Sequence, residues 1–287
     1  MLAESTPYGD LFPNRRSEDI FKSLAMLHRV ALDSVTKSLP GNAVLSYSGG
    51  VDSSILNQLI QEAGNKIQLV RLGVLGSSDA RNFRTGHSKS ELANILEFVI
   101  SRNEVEQAAK EVSKIVRVKN LSHFEDCMCF WLIGKKVQSN TNAEFIISAN
   151  GPDELYCGYD RFRRILDSQG YSAVEKEIMH ALDMADSLRN EVKLVLSKLG
   201  LESCEPLLSQ DFRSFSTRDV AVELKIVKGD DRVRKRIWRA LGRKLGISED
   251  RVLQPKKAMQ YSMGIHQIML SLLKTKSVDI DFESQAT

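Results

Sequence analysis

The sequence predicts an α/β protein: a parallel sheet of the five-stranded type, covered by helices on both faces and followed by a helical C-terminal part. Three observations lead to this fold class. Short apolar runs alternate with helical patterns up to about residue 150, no strong strand pattern follows residue 159, and the first apolar run leads directly into a loop of small residues that opens a helix. Strands joined by a helix are expected to be parallel, because the helix carries the chain back to the end of the sheet at which the previous strand began.

Composition is that of an ordinary globular chain. The 287 residues are 42% hydrophobic and 27% charged, with a formal net charge of +3, so charge alone does not favour a nucleic-acid partner. The start of the chain has no signal-peptide pattern and no apolar run could span a bilayer, so we expect a cytoplasmic protein without a membrane partner. The cysteine spacing fits neither a disulfide framework nor a zinc site, and the four residues are expected to be reduced and to pack as small apolar groups: Cys127, Cys129, Cys157 and Cys204.

The elements are expected in the following order. An irregular arm covers residues 1–16 and contains Pro7, Gly9 and Pro13. Helices are predicted at 17–38, 53–61, 88–96, 105–116 and 124–137, with strands at 43–47, 67–74, 97–100 and 145–148. Beyond these, amphipathic helices are predicted at 175–199, 211–224 and 232–245, with no further strand, and the polar stretch from Thr275 is expected to be frayed. We therefore expect a domain at 17–270, divided into a nucleotide-binding sheet at 17–165 and a helical part at 166–270, with a flexible tail at 271–287.

The loop after the first predicted strand has the chemistry of a phosphate site. Residues 48–54 read Ser-Gly-Gly-Val-Asp-Ser-Ser, and backbone N–H groups at such a strand-to-helix junction are available to phosphate oxygens. The glycines allow close approach, the hydroxyls can add hydrogen bonds, and Asp52 can bind Mg²⁺ carried by the phosphates.

A second motif follows the strand predicted at 145–148. It runs from Ser148 to Phe162 and contains the acidic pair Asp153 and Glu154. Because the carboxyl ends of parallel strands share one edge, these carboxylates should lie near Asp52. Asp52 and Asp153 are the predicted ligands of Mg²⁺ bound to a triphosphate or pyrophosphate.

With both motifs in view, the chain resembles the C-terminal synthetase domain of asparagine synthetase and β-lactam synthetase, within the N-type ATP pyrophosphatases that carry a PP-loop. The resemblance covers roughly residues 17–270 and implies an adenine nucleotide α-hydrolase-like fold with ATP and Mg²⁺ as cofactors. Residues 73–79 resemble the loop after strand two that packs on the adenine, Arg232 matches a basic residue before the penultimate helix, and residues 256–264 resemble the loop that carries a catalytic lysine. Counting back from Gly264 favours Lys256 for that lysine, with Lys257 left open.

Together the motifs and the resemblance define the expected site. The catalytic residues are Asp153 with Lys256 or Lys257. The residues expected to bind ATP and pyrophosphate are Leu45, Ser46, Ser48, Gly49, Gly50, Val51, Asp52, Ser53, Ser54, Leu72, Gly73, Ser148, Asn150, Gly151 and Arg232. The implied reaction is attack of a carboxylate on the α-phosphate of ATP, followed by attack of ammonia or an amine on the acyl-adenylate with release of AMP.

The acceptor half departs from the family pattern. A family glutamate that assists proton transfer from the incoming amine is Asn150 here, and an amide cannot be a general base. An expected arginine and a terminal aspartate are missing from residues 200–209, and Ala149 replaces a glycine. No processed N-terminal cysteine nucleophile is present, since residue 2 is leucine, so we expect no glutaminase domain of its own and a separate glutaminase or ammonia source.

Three functions remain open from the sequence. The first is an AMP-forming carbon–nitrogen ligase that acts on a small carboxylate or amino acid. The second is a PP-loop enzyme that modifies a tRNA base, for which basic residues at Arg161, Arg163, Arg164 and within 232–244 give thin support. The third is a non-catalytic nucleotide-binding homologue, as Asn150 permits. A homo-oligomer is left open.

Overall fold

A computed structural model describes residues 8–12, 16–75, 77, 93–229, 233–255, 259–280 and 282. Its strands are β1 (Ala43–Ser46), β2 (Gln68–Val74), β3 (Ile95–Ile100), β4 (Phe145–Ile147) and β5 (Glu202–Cys204). Its α-helices are α1 (Ser17–Ser38), α2 (Val51–Glu62), α3 (Arg102–Val112), α4 (Leu121–Asn140), α5 (Pro152–Leu155), α6 (Asp160–Gln169), α7 (Tyr171–Ser197), α8 (Gln210–Arg218), α9 (Arg236–Lys244), α10 (Glu249–Val252), α11 (Met259–Ser262) and α12 (Ile265–Lys274). Short 3₁₀ turns cover Pro206–Leu208 and Val222–Leu224.

The five strands form one sheet in the order β3-β2-β1-β4-β5, and every neighbouring pair is parallel. The predicted fold class is therefore confirmed. The chain builds outward from β1 to β3 and then returns to the other side of β1 with β4, where Leu45 pairs with Ile147. Ligands of open parallel sheets bind at such a reversal of strand order, and here it brings the loops after β1 and β4 side by side.

Helices cover both faces of the sheet, and each face has its own core. Successive strand residues point to opposite faces: Leu45 and Ile147 join the cluster packed under α1, α2 and α9, whereas Val44 and Ile146 join the cluster packed under α3, α4 and α12. All four are at most 2% exposed. Burial on both faces explains why these strands are continuous apolar runs rather than alternating ones.

Two expectations about the sheet were wrong. The edge strand β5 was missed, because Glu-Ser-Cys at 202–204 has no apolar pattern, and its pairing with β4 supplies the stabilisation instead. Ile95 and Leu96, expected to end a helix at 88–96, belong to β3, where Ile95 pairs with Leu69. Residues 88–92 of that predicted helix lie outside the described residues.

Several helix bounds differ from the predictions for reasons of capping. Helix α3 begins before residue 105, because Ser101 and Glu104 form a reciprocal capping box. Helix α4 begins before residue 124, where the Asn120 side chain accepts a hydrogen bond from the His123 N–H. The helix expected at 211–224 divides into α8 and a 3₁₀ turn, and α9 begins only at Arg236.

The two ends of the chain contribute to the core. Leu11 and Phe12, within the segment expected to be an irregular arm, are at most 3% exposed. Val278 and Ile280, within the segment expected to be frayed, are both 7% exposed. Within the described ranges, no helix is both long and apolar enough to cross a bilayer.

The cysteines behave as expected from their spacing. All four are free, and three of them are fully buried. Burial raises the pKa of the Cys157 thiol to about 12, so it stays protonated at neutral pH. Cys204 is half-buried and donates to the Ser38 carbonyl at 3.4 Å. These thiols act as small apolar groups.

One lysine of the helical part is buried without a carboxylate partner. Lys225 is 1% exposed, and its ammonium donates to the Ser216 carbonyl at 2.6 Å and lies 5.8 Å from the centre of the Tyr156 ring. No carboxylate lies within ion-pair distance of it among the described residues. Burial lowers the pKa of Lys225 to about 8, although Cys157 and Glu175 oppose that shift.

This lysine predicts a pH dependence of stability. Between about pH 8 and pH 10.5 the unfolded chain retains a proton that the folded protein has lost, so unfolding takes up a proton and its free energy rises with pH. Relative to Lys225→Met, the wild type should gain about 2 kcal/mol between pH 7 and pH 9.5. Urea denaturation at the two pH values measures this, with Lys228→Met as the exposed-lysine control. If the difference in unfolding free energy between the wild type and Lys225→Met is the same at both pH values, the lowered pKa of Lys225 is contradicted.

Candidate functional site

The loop between β1 and α2 presents backbone N–H groups at a helix N-terminus. Gly49 adopts a φ of 77°, a region that favours glycine, and Gly50 precedes the first turn of α2 without a side-chain cap. The first N–H groups of a helix have no acceptor within the helix. Asp52 lies in this first turn, and the arrangement is the one that binds phosphate oxygens in other proteins.

The three loop serines have different surroundings. Ser48 and Ser53 contact each other at 3.2 Å between their Oγ atoms, and Ser53 donates to the Gly50 carbonyl at 3.1 Å. Ser54 Oγ instead lies 3.2 Å from the Tyr47 hydroxyl, away from the loop. The first two hydroxyls are thus available near the phosphate end, whereas Ser54 anchors helix α2.

The second motif follows β4 through a strained glycine into the short helix α5. Gly151 has a φ of 117°, and a Cβ there would overlap the Leu207 carbonyl oxygen. Pro152 occupies the first turn of α5, with Asp153 and Glu154 beside it. Segment 200–209, where the sequence departs from the family pattern, thus packs directly against this motif.

Gly158 fixes the position of the Asp153 carboxylate. Its N–H donates to the Asp153 carbonyl at 2.7 Å, and a Cβ at residue 158 would overlap both Asp153 Oδ1 and the Asp153 backbone. Only glycine leaves room for the carboxylate at this point.

Lys235 joins the two motifs. Its ammonium lies 2.6 Å from Asp52 Oδ2 and 3.0 Å from Asp153 Oδ1, and the residue is 1% exposed. Its backbone is left-handed, with φ 57°, and the residue forms the N-cap of α9. Burial alone would lower the pKa of Lys235, but Asp153 and Asp52 outweigh it and hold that pKa above its ordinary value. Lys235 is therefore a fixed positive charge.

Trp238 holds the other carboxylate oxygen of Asp52. Its indole N–H donates to Asp52 Oδ1 at 2.9 Å, and its ring stacks on Tyr156 with centroids 5.3 Å apart. Tyr156 is itself buried and hydrogen-bonded to Ser216 at 2.6 Å. Both oxygens of Asp52 are thus fixed by groups from the start of α9.

A cavity of about 210 Å³ opens between the two motifs. The sequence-predicted residues that line it are Ser46, Ser48, Asp52, Ser53, Ser148, Asn150 and Asp153. Ser148 is 3% exposed, and its hydroxyl has no hydrogen-bond partner in the described part of the protein. A buried hydroxyl without a partner on a cavity wall is the kind of group that a ligand satisfies. A narrow hollow beside this cavity shares Ser46 and Ser48 with it and reaches Leu72 at the end of β2.

The other predicted residues support the loops or fall outside the described ranges. Leu45 and Val51 are buried in the core below the site. Gly49, Gly50, Gly73 and Gly151 shape the turns and strand ends rather than line the cavity. Arg232, Lys256 and Lys257 lie outside the described residues, so their assignments stay predictions.

Sequence reasoning missed Lys235, Trp238, Asp126 and Arg189. The last two line the far end of the cavity with Glu154 and Tyr159. There the Tyr159 hydroxyl donates to Glu154 Oε1 at 2.5 Å. Burial is the main cause that raises the pKa of Tyr159, and the negative charge of Glu154 is the second. Lys235 lies in the basic run at 232–244, which the sequence offered only as thin support for a tRNA partner, and it was expected inside the helix predicted at 232–245. The helix instead begins at Arg236, with Lys235 at its N-cap.

The predicted Mg²⁺ ligands can be tested against the donor set. Asp52 and Asp153 converge on the Lys235 ammonium, and each carboxylate retains further acceptor capacity beside that contact. Mg²⁺ at phosphate sites needs only one or two carboxylates, since phosphates and water complete its shell. These residues fit that requirement. Within the described ranges, no cluster of three or more His, Cys, Asp or Glu side chains is arranged to hold a metal by itself.

The sequence of this chain is similar to those of known proteins. The family model for asparagine synthase matches residues 40–193, more than half of the chain. The glutamine-hydrolysing asparagine synthetase of Zea mays is 26% identical over 251 residues, covering 82% of this chain and 39% of the relative. The corresponding Homo sapiens enzyme is 26% identical over 275 residues, covering 92% of this chain and 47% of the relative. The chain thus spans less than half the length of these two relatives.

Solved structures were also compared. An NMN synthetase from Francisella tularensis has a TM-score of 0.39 at 14% identity, covering 93% of this chain and 88% of its own. The U34-tRNA thiolase NcsA from Methanococcus maripaludis, described with its [4Fe-4S] cluster, has a TM-score of 0.39 at 12% identity. This match covers 96% of the present chain and 87% of the thiolase. Likenesses of this size say nothing about function.

The contact between Gly158 and Asp153 gives a direct test of the site. Gly158→Ala should displace the Asp153 carboxylate, weaken Mg-ATP binding at least about tenfold and destabilise the fold by about 2 kcal/mol. Isothermal calorimetry and urea denaturation measure the two effects. Gly41→Ala is the matched control, because a Cβ there meets nothing within 4 Å. Equal Mg-ATP affinity in both variants would contradict the proposed position of Asp153.

Proposed function

This chain belongs to the asparagine synthase family, and from that premise we propose that it is an ATP-dependent, AMP-forming carbon–nitrogen ligase. It adenylates a small carboxylate or amino acid, which ammonia or an amine then attacks. One observation carries the proposal: Lys235 holds Asp52 of the first loop and Asp153 of the second motif on a single buried ammonium. That arrangement suits a triphosphate lying across both loops.

The phosphates lie at the N-terminus of α2. The N–H groups of the loop and the hydroxyls of Ser48 and Ser53 donate to phosphate oxygens there. The buried ammonium of Lys235 acts on this end of the site by holding Asp52 and Asp153 in place. Charge builds on the β- and γ-phosphates as pyrophosphate departs. A fixed cation that is already oriented stabilises this charge without reorganisation at the moment of reaction.

Mg²⁺, when bound through the phosphates by Asp52 and Asp153, would neutralise phosphate charge and withdraw electrons from the reacting phosphorus. The residues around these carboxylates prepare them for that role. Trp238 fixes the orientation of Asp52, and Gly158 leaves room for Asp153. In this proposal the base and ribose lie beyond Ser46, on the side of Leu72 at the end of β2.

The carboxylate substrate occupies the far end of the cavity, near Asn150 and Arg189. Its oxygen attacks the α-phosphorus, the bond from that phosphorus to the bridging oxygen breaks, and pyrophosphate leaves. An amine then attacks the acyl carbon, the acyl–oxygen bond breaks, and AMP leaves. Arg189 is oriented by Glu205 at 3.0 Å, and its remaining N–H groups can donate to the substrate carboxylate.

The proton released by the amine needs an acceptor other than residue 150. Asn150 lines the cavity but an amide cannot accept this proton. Asp126 and Glu154 are carboxylates on the same wall and take that place in the proposal. The same asparagine supports a second candidate function: a nucleotide-binding homologue that holds ATP without turnover.

A tRNA-modifying role has less support. The basic residues that favoured it are engaged in ion pairs: Arg161 with Glu177 at 2.6 Å, and Arg164 with Asp160 at 3.2 Å. Arg243 likewise contacts Asp10 at 2.6 Å. Paired side chains contribute less free charge to a phosphate backbone.

Pyrophosphate release measures the proposed chemistry. With ATP, Mg²⁺, ammonium and a panel of amino acids and small carboxylates, the wild type should release AMP and pyrophosphate in equal amounts with at least one acid. Asp52→Asn should lower that rate at least about 100-fold, since the phosphate-end carboxylate is lost. Asp250→Asn, an exposed carboxylate near the start of α10, is the matched control.

The outcomes separate the two candidate functions. ATP binding without pyrophosphate release across the panel would favour the non-catalytic homologue. Release of ADP and phosphate, or an unchanged rate in Asp52→Asn, would contradict the proposed cleavage between the α- and β-phosphates.

A further inference from the structure

A second cavity lies in the helical part of the protein, between α7, α8 and the 3₁₀ turn at Val222–Leu224. Its volume is about 750 Å³, which lies within the range of small-molecule sites in proteins and exceeds that of the cleft between the two motifs. Arg189 and Leu208 line both cavities, so the second one adjoins the site but is otherwise formed by different residues.

Lys225 is one of the residues that line this cavity. The side chain is 1% exposed and donates one hydrogen bond, to the Ser216 carbonyl. An ammonium has three donors, and among the described residues no acceptor is present for the remaining two. A buried charge that lacks an opposite charge is costly, so a structure that retains one on a cavity wall provides a place for an anion.

The other charges around the cavity do not supply that anion. Asp186 is engaged by Arg213 through two hydrogen bonds, at 2.6 and 2.7 Å. Glu175 and Asp183 are exposed and lie at the rim. The cavity is therefore lined by one buried ammonium that has no ion-pair partner in the described part of the protein, and by three exposed charged side chains, Glu175, Asp183 and Arg218.

The remaining wall is apolar. Ile178, Leu182 and Val222 line it and are between 2% and 5% exposed. A ligand that satisfies both features has one anionic group and an apolar body. A single ammonium compensates the one charge of a carboxylate but leaves much of a phosphate dianion uncompensated, and that residual charge would be buried beside aliphatic side chains.

We propose that this cavity is a second ligand site, which binds an amphipathic monocarboxylate with its carboxylate on Lys225 and its apolar body against α7. At neutral pH the Lys225 amine remains largely protonated, since its pKa is about 8. The site does not depend on the proposed ligase activity, because no residue of the loop after β1 or of the second motif lines its cavity.

The experiment uses 4-phenylbutanoate as the probe and 4-phenylbutanamide as its uncharged counterpart, with calorimetry on the full chain at pH 7. The carboxylate should bind and the amide should bind at least about tenfold more weakly, because the charge-assisted hydrogen bond is lost. Lys225→Met should bind the carboxylate more weakly by the same factor, whereas Lys228→Met should retain wild-type affinity. Asp52→Asn should also retain it, which separates this site from the nucleotide loops.

A second variant protects the test against misfolding. Met179 lines the cavity and is 55% exposed, so Met179→Trp narrows the opening without disturbing the core and should weaken binding of the carboxylate. Absence of carboxylate binding, equal binding of acid and amide, or an unchanged affinity in a folded Lys225→Met variant would overturn the proposal.

Discussion

The ammonium of Lys235 is the interaction on which the candidate site depends. It lies between Asp52 and Asp153, two carboxylates that come from loops separated by about 100 residues of sequence. Without an intervening cation, two neighbouring carboxylates repel each other. The ammonium offsets this repulsion and holds both carboxylates on the wall of the cavity between the two motifs. The site is thus preorganised by a charge that belongs to the protein.

The sheet brings the two carboxylates together, and three local features, at Gly158, Lys235 and Trp238, fix their positions. The reversal of strand order puts the loops after β1 and β4 next to each other. Gly158 leaves space for the Asp153 carboxylate, and Lys235 occupies the N-cap of α9 with a left-handed backbone. Trp238 then fixes Asp52 while stacking on Tyr156, a residue of the second motif. Core packing and site geometry are therefore linked through the same aromatic residues.

Much of this could be predicted from the sequence. The first loop and the acidic pair follow strands with strong apolar patterns, so their convergence follows from the rules of parallel sheets. Lys235 could not be predicted, because its burial depends on tertiary contacts with residues 52 and 153 rather than on its neighbours in sequence. Strand β5 escaped for a related reason, since Glu202 to Cys204 gain their strand conformation from pairing with β4. The buried Lys225 was equally invisible, as the surrounding sequence has no feature that distinguishes it from a surface lysine.

If the Lys235 ammonium organises the phosphate end of the site, removing it must weaken the binding of Mg-ATP, and a Lys235→Met variant measures this effect. Calorimetry should be done on protein whose circular dichroism and urea midpoint confirm that it is folded, with Lys228→Met as the control. Lys235→Met should weaken Mg-ATP binding at least about tenfold, because Asp52 and Asp153 lose the cation that holds them in place, while the control is unaffected. A folded Lys235→Met protein that binds Mg-ATP as tightly as the wild type would contradict it.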